Sequence, residues 1–286
     1  MFDTISVIGG DLRQLTLARL LKKEGYSVFL YGFEEHQEAP ECIGSLEKAM
    51  QSDIIILPVP VSFDGINVNM PFGKTDISIE YIIEEINPSS LVLGGQIKPE
   101  FARALSARGI AFRDYLLRDE LSIRNAIPTA EGAIEIAISE TPITLHGSKI
   151  LVTGYGKVGK ILARMLSGIG AQTYVEARKY ADLALIEGHG YVPVALCEFP
   201  SCVGEFDVIF NTVPSLLFTR DVLKKIKKDT LIIDLASRPG GVDFSAAKEL
   251  GLRVIWALSL PGKIAPVTSG AIIKDTVMNI IKEMYA

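Results

Sequence analysis

The chain has 286 residues, 48% hydrophobic and 22% charged, with a formal net charge of −5. That length suits two domains of ordinary size, and the composition excludes long disorder. An acidic balance without a concentrated basic face excludes the electrostatic footprint of a nucleic-acid binder. No apolar run reaches membrane-spanning length either, since the strongest, Ile54 to Val61, is broken by Pro58 and Pro60.

The N-terminus enters a short apolar strand, Thr4-Ile5-Ser6-Val7-Ile8, with no basic or long apolar leader, so no signal peptide is expected. Further strands are predicted at 27–31, 53–57, 91–93 and 110–113, with helices over 13–25, 77–86 and 98–108. The first turn, Gly9-Gly10-Asp11-Leu12-Arg13-Gln14, is glycine-rich but lacks Gly-x-Gly-x-x-Gly spacing. It puts a cation and an amide where close packing wants glycine. This half therefore reads as a Rossmann-like domain that no longer binds a dinucleotide. Residues 61–76 read as a polar loop, expected to be mobile over a cleft. The three cysteines, Cys42, Cys197 and Cys202, have no C-x-x-C spacing, which fits a reducing cytoplasm.

Pro128-Thr129-Ala130-Glu131-Gly132 opens a helical pattern through Ile134, Ile136 and Ile138, and Thr129 with Glu131 resembles a helix start. Six short apolar runs follow at 149–153, 172–176, 191–194, 207–210, 230–235 and 253–257, separated by helices, as in a parallel buried sheet. The basic cluster Lys224-Lys225-Ile226-Lys227-Lys228 reads as a solvated helix end. From Thr268 to Tyr285 the apolar spacing is again helical. The expected architecture is α/β, with two Rossmann-like domains joined by interdomain helices. Residues 1–127 form a substrate domain, 128–145 a linking helix and 146–267 a doubly wound dinucleotide-binding domain. Residues 268–286 form a helix packing back toward the N-terminal domain. A ligand cleft is expected between the domains, at the C-terminal ends of the strands.

The chemistry starts at Lys149-Ile150-Leu151-Val152-Thr153-Gly154-Tyr155-Gly156-Lys157-Val158-Gly159, an apolar strand running into Gly-x-Gly-x-x-Gly and then a helical pattern. In that context the motif predicts dinucleotide binding. Gly154 permits the tight turn, Gly156 lets backbone approach a pyrophosphate, and Gly159 lets helix and strand pack closely. The next strand ends Val175-Glu176-Ala177-Arg178-Lys179. An NAD site places a carboxylate at the position that falls on Ala177; a small residue followed by two cations suits a 2′-phosphate and predicts NADP. Glu176 is the counter-argument: a register shift of one residue points it at the ribose and favours NAD.

Three loops at strand ends face the nicotinamide half of such a site: Asn211-Thr212-Val213-Pro214-Ser215, Asp234-Leu235-Ala236-Ser237-Arg238-Pro239-Gly240-Gly241, and Ala257-Leu258-Ser259-Leu260-Pro261-Gly262-Lys263. Thr212, Val213, Pro214, Ala236 and Ser237 are expected against the cofactor. Arg238 and Lys263, with Arg13 from the other domain and Thr129, are candidates for an anionic substrate, since Arg grips a carboxylate with two donors. Surface loop cations would read the same way. The three histidines are poorly placed for catalysis: His146 and His189 sit at the N-terminal edge of the sheet, and only His36 lies near a cleft edge. Neither metal-ligand spacing nor a Gly-x-Ser-x-Gly turn occurs. If a base is needed, Glu131 and Asp11 are the candidates, each equally readable as a capping or turn residue.

Gly9-Gly10-Asp11-x-Arg13-Gln14, Asn125-x-Ile127-Pro128-Thr129-x-Glu131-Gly132, His146-Gly147-Ser148, Ala236-Ser237-Arg238-Pro239-Gly240-Gly241, Leu260-Pro261-Gly262 and Ala265-Pro266 together resemble the A subunit of dipicolinate synthase over nearly the whole chain. The 61–76 loop departs from that pattern. The resemblance implies oxidation of dihydrodipicolinate, or its 4-hydroxy-tetrahydro precursor, to dipicolinate with reduction of NADP. It implies a branch of the diaminopimelate and lysine pathway, in the mother-cell cytoplasm of a sporulating bacterium, beside a flavoprotein-like B subunit. A homo-oligomer is also expected. Two other readings remain: another two-domain NADP-linked oxidoreductase resembling shikimate dehydrogenase, and a non-catalytic NADP-binding regulatory protein.

Overall fold

The computed structural model describes residues 2–37 and 45–285; Cys42 lies outside the described residues. The chain divides into two compact units. One comprises Met1–Arg124 with Ala265–Ala286, the other Asn125–Ile264.

The first unit carries β1 (Thr4–Ile8), α1 (Leu12–Lys23), β2 (Ser27–Tyr31), α2 (Leu46–Met50), β3 (Ile54–Ile56), α3 (Ile79–Glu85), β4 (Leu91–Gly94), α4 (Pro99–Ala107) and β5 (Ala111–Asp114). The strands form one parallel sheet in the order β2-β1-β3-β4-β5. Ile54, Ile55 and Ile56 are wholly buried, as expected where both faces of a parallel sheet are covered. The loop after β1 turns through Gly9 and Gly10, both at positive φ and closely packed, and closes onto α1 through side chains. Asp11 caps α1, accepting from the Arg13 N–H, and the Gln14 side chain returns to the Asp11 N–H, completing a capping box.

The helix α5 (Asp119–Glu140) carries the chain from the first unit into the second. It begins nine residues before the start predicted at Pro128, which instead sits inside it. Pro128 gives up one backbone bond, and the helix continues regardless. Thr129 bonds back to the Asn125 carbonyl at 2.7 Å, so Thr129 and Glu131 are mid-helix residues and not a helix start.

The second unit adds β6 (Lys149–Thr153), α6 (Lys157–Ile169), β7 (Gln172–Ala177), α7 (Tyr180–Gly188), β8 (Val192–Ala195), α8 (Phe199–Cys202), β9 (Val208–Asn211), α9 (Arg220–Leu223), β10 (Leu231–Asp234), α10 (Phe244–Glu249), β11 (Arg253–Trp256) and α11 (Leu260–Ile264). The six strands are parallel in the order β11-β10-β9-β6-β7-β8. This is the doubly wound order, with its reversal point between β6 and β9, where such sheets open a ligand crevice. Two cores sandwich it. Ile150, Val152, Phe210 and Ile233 face one side with Ala133 and Ala137 of α5, and Leu151, Ile209 and Ile232 face the other with Phe199 and Phe218. Lys263 falls in the last turn of α11, a short helix, instead of the loop predicted there.

The final helix, α12 (Pro266–Tyr285), returns to the first unit and packs along α1. Ile273, Val277 and Ile281 join Leu17 and Leu21 in one core. Arg118 clamps Glu283 through two bonds of 2.6 and 2.7 Å, and Arg124 pairs with Asp275 at 2.9 Å. These pairs are partly exposed and contribute little beyond orientation, of order 1 kcal/mol or less each.

The 61–76 segment, expected to be mobile, is tied down. Asp64 accepts from Ser62 Oγ and from the Ile66 and Asn67 amides, Val68 bonds Ile77, and Asn69 bonds Val61. Gly10 in turn bonds the Asn69 carbonyl, and Val68 and Met70 are buried. The bonds from Asn67, Ile66 and Ser62 hold the Asp64 carboxyl well below its usual range, at about 2.

Candidate functional site

At the end of β6 the chain turns through Gly154 with φ +88, a left-handed geometry open to glycine at little cost. A Cβ at Gly159 would collide with the Gly154 carbonyl oxygen, so α6 approaches the strand only because that residue is glycine. Gly156 caps α6 without any side-chain bond, so the first-turn N–H groups remain open to a phosphate. Lys157 and Val158 form that first turn. The intervening residue, Tyr155, turns inward among Ala163, Val175, Ala177 and Ile186, and its hydroxyl lies 2.6 Å from His189 Nδ1. Tyr155 thus lends the motif an anchor of its own.

A cleft of about 320 Å³ opens beside this turn. Gly154, Tyr155, Glu176, Ala177, Arg178 and Lys179 line one part of it, and Val213 and Ser215 another. Ala177 is buried at the end of β7, and Arg178 and Lys179 follow it, exposed. Glu176 also lines the cleft, although it is only 3% exposed. Burial pushes its carboxyl upward, opposed in part by the Gly154 N–H. Asp182, Leu196 and Leu217 complete the lining and were not anticipated; no short motif marks them, because each reaches the cleft only through the fold.

At the reversal point, the ends of β6, β9 and β10 are joined by a buried polar relay. Thr153 Oγ1 donates to Asn211 Oδ1 at 2.7 Å, and Asn211 Nδ2 donates to Asp234 Oδ1 at 2.8 Å. Asp234 also accepts from the Ala236 and Gly241 amides, while Thr212 Oγ1 donates to the Thr153 carbonyl at 2.8 Å. Thr153, Asn211 and Asp234 are all fully buried. The visible signal for the relay was a polar residue closing each apolar strand. Its effect is to set the 235–241 loop, where a Cβ at Gly241 would strike Asn211. Ser237 and Arg238 stand exposed on that loop. The Arg238 guanidinium sits 5.8 Å from the centre of the Trp256 ring, whose Nε1 donates to the Ala236 carbonyl. Lys263 and Pro214 are also exposed.

In the first unit, Arg13 is largely buried and committed. Its guanidinium meets both Asp11 oxygens, with Nε at 2.9 Å from Oδ1 and Nη2 at 2.8 Å from Oδ2, and donates to the Val59 carbonyl at 2.8 Å. Asp11 is occupied as helix cap and ion-pair partner, and Glu131 is exposed on α5. His36 packs edge-on against Phe72, and His146 lies against Gly170. A separate cavity of about 600 Å³, lined by Val61, Asp64, Ile79, Glu80, Lys98 and Phe101 among others, belongs to this unit. Among the described residues no group of His, Cys, Asp or Glu is placed to hold a metal ion, and no helix is long and apolar enough to cross a membrane.

The doubly wound sheet, its glycine turn and the cleft beside it define a dinucleotide-binding domain of the dehydrogenase type. Residues 129–247 match the family described as D-isomer specific 2-hydroxyacid dehydrogenase, NAD binding domain, and residues 4–116 match the N-terminal domain of the dipicolinate synthase A subunit. The chain is 35% identical over 287 residues to the dipicolinate synthase A subunit of Bacillus subtilis, covering 99% of this chain and 97% of that one. The crystal structure of the dipicolinate synthase A subunit from Bacillus halodurans superposes with a TM-score of 0.90 at 31% identity, covering 97% of each chain. The crystal structure of the Bacillus subtilis protein gives 0.89 at 32% identity, covering 100% of this chain and 97% of that one. The chain belongs to the family of dipicolinate synthase A subunits.

Proposed function

We propose that this protein is an NADP-dependent dehydrogenase that oxidises dihydrodipicolinate, or its 4-hydroxy-tetrahydro precursor after loss of water, to dipicolinate. The observation that carries the reading is the likeness to the dipicolinate synthase A subunit over 99% of the chain, combined with a formed dinucleotide cleft. The reaction balances as dihydrodipicolinate and NADP⁺ giving dipicolinate, NADPH and a proton. A bound nicotinamide would supply the hydride acceptor, and aromatisation of the substrate ring supplies the driving force.

The chain's own residues bind and orient. The open first turn of α6 takes the pyrophosphate, with Gly154 and Gly156 permitting close approach. NADP is supported by Ala177, which leaves room where a ribose-binding carboxylate would stand, and by Arg178 and Lys179 on the same cleft. The substrate is a dicarboxylate; Arg238 and Lys263 are the cations assigned to it, and Arg238 is the better suited because a planar fork matches a carboxylate. Arg13 is less available, being already neutralised by Asp11. Thr129 spends its hydroxyl on its own helix. No strong base is required of the site when the product is aromatic, so positioning is the main contribution. Membership of a family of synthase subunits supports a second, different chain as partner, and the protein is assigned to a sporulating cell's cytoplasm on the same footing.

The test is a coupled assay. A synthase generates the precursor from pyruvate and aspartate semialdehyde, this protein is added with NADP or NAD, and reduced cofactor and dipicolinate are followed together against a control without enzyme. Equal formation of both products, faster with NADP, supports the reading. Silence both alone and with the partner chain overturns it.

A further inference from the structure

The loop that carries Arg238 is gripped at both ends by one side chain. Asp234 closes β10 and is wholly buried. Its Oδ1 accepts from the Ala236 amide at 3.0 Å, and its Oδ2 accepts from the Gly241 amide at 2.8 Å. Ser237 to Gly240 hang between those two bonds, drawn tighter by the Gly240 amide donating to the Ser237 carbonyl. A Cβ at Gly240 would come within 2.9 Å of Asp234 Oδ2, so the loop doubles back directly over the carboxylate.

Asn211 in turn orients that carboxylate. Its Nδ2 donates to Asp234 Oδ1 and, at 3.1 Å, to the Val213 carbonyl. Its Oδ1 accepts from Thr153 Oγ1 and, at 3.1 Å, from the Val213 amide. Every donor and acceptor position of the amide is filled, which fixes its rotation. Val213 lines the dinucleotide cleft, so one buried pair grips both the loop beside the cofactor and the loop that bears the substrate cation. The sheet does not need these bonds, since β9 and β10 already pair by backbone from Leu231 with Val208 to Asp234 with Asn211. A buried carboxylate is costly unless its bonds are met, and what they secure here is the course of a loop.

We propose that Asp234 is a positioning residue for substrate oxidation: oriented by Asn211, it fixes the 235–241 loop so that Arg238 is presented at a set place beside the dinucleotide cleft. The proposal rests on the reading of Arg238 as partner of a substrate carboxylate and deepens it. Asp234 is buried and spent on loop amides, so it acts through the arginine. Trp256 guides the side chain that Asp234 places: its Nε1 donates to the Ala236 carbonyl at 3.0 Å, its ring stacks on Phe244 and the guanidinium lies near its other contacts, 5.8 Å from the ring centre. Such support matters because a misplacement of about 1 Å costs on the order of 100-fold in rate.

The test is a double-mutant cycle on kcat/KM in the coupled assay, with the partner chain present where turnover needs it, and with NADP affinity read by calorimetry. Asp234→Asn keeps the shape but offers one acceptor oxygen where two are used, so one end of the loop is released. A fall of about 10- to 100-fold in kcat/KM is expected, with NADP affinity close to wild type. Arg238→Ala/Asp234→Asn is expected to be no worse than Arg238→Ala, because the acid acts through the arginine; a residue serving stability alone would add its loss in both backgrounds. Should Asp234→Asn fold poorly, Asn211→Ser runs the same cycle: it leaves both amide bonds and frees the carboxylate to turn, with a smaller fall expected. Normal kinetics, additive losses or a collapse of NADP affinity in these variants overturns the role of Asp234 and leaves that of Arg238 standing. Normal kinetics in Arg238→Ala overturns the substrate reading itself, and the positioning role with it.

Discussion

The hydroxyl of Tyr155 and Nδ1 of His189 lie 2.6 Å apart, joining the glycine turn after β6 to the end of α7. Tyr155 occupies a variable position of the glycine motif, yet here its ring is buried among β7, α6 and α7, with Lys160 5.3 Å over its face. Burial also pushes the phenol upward, so it remains a neutral partner for the imidazole. The backbone that approaches a pyrophosphate is thus held from behind by a side chain.

Tyr155→Phe keeps the packing and removes the bond. The expected loss is about 1 kcal/mol of unfolding free energy, read from urea denaturation, together with a several-fold weaker dinucleotide affinity. Unchanged stability and affinity would show that the contact merely accompanies the turn.

Arg238→Ala tests the substrate role. Loss of a charge-assisted grip on one carboxylate is worth about 1.5–3 kcal/mol, or roughly 10- to 150-fold in kcat/KM. Steady-state kinetics should place the effect in KM, with NADP affinity nearly unchanged by calorimetry. Normal kinetics would remove Arg238 from the site.

Arg178→Ala should weaken NADP by on the order of 10- to 100-fold and leave NAD almost untouched. Equal loss of both would mean that the residue serves the adenine or the turn and not a 2′-phosphate.

Most strands were legible in the sequence because a parallel strand buried on both faces is written as an uninterrupted apolar run, as in Ile54–Ile56 or Leu231–Ile233. The glycine turn was legible for a related reason: close approach forbids a Cβ. What escaped was decided by side chains far apart in sequence. The five-residue α2 is too short to carry a period. The start of α5 was hidden because Asp119 to Asn125 is mostly polar and Pro128 reads as an opening residue; this stretch is instead tied by contacts distant in sequence, among them Arg124 with Asp275. The 61–76 segment looked loose because glycine and polar residues dominate it, whereas Asp64 converts that polarity into three bonds. Arg13 looked available because nothing in Asp11-Leu12-Arg13 announces that the two ends of this tripeptide meet.

Asp64 supplies a pH-dependent prediction. Its carboxyl is depressed in the folded protein to about 2, below an ordinary 3.8. A depressed carboxyl contributes stability that is complete above the ordinary value and is lost as pH falls through the depressed one. Amide exchange at Ile66 and Asn67 should therefore accelerate, beyond its intrinsic acid trend, between about pH 4 and about pH 2. In Asp64→Ala it should be fast throughout. Slow exchange in that variant would locate the restraint elsewhere in the segment.

Glu176 carries the opposite sign. Its folded value is raised, so its contribution is complete below 4.5 and is lost as pH rises through the raised value. Thermal melts of the ligand-free protein should show a decline across that window, and Glu176→Gln should flatten it.

The helix α12 has a consequence for how the molecule is made. The ribosome delivers β1 through β5 early, but Ile273, Val277 and Ile281, which cover Leu17 and Leu21, emerge only after the whole second unit. Until then α1 presents a wet apolar flank, the state in which nascent chains associate wrongly or recruit chaperones. The intervening unit, Asn125–Ile264, is continuous in sequence and has no such wait. Birth order along the messenger and order of completion in space are therefore reversed: the half translated second is finished first.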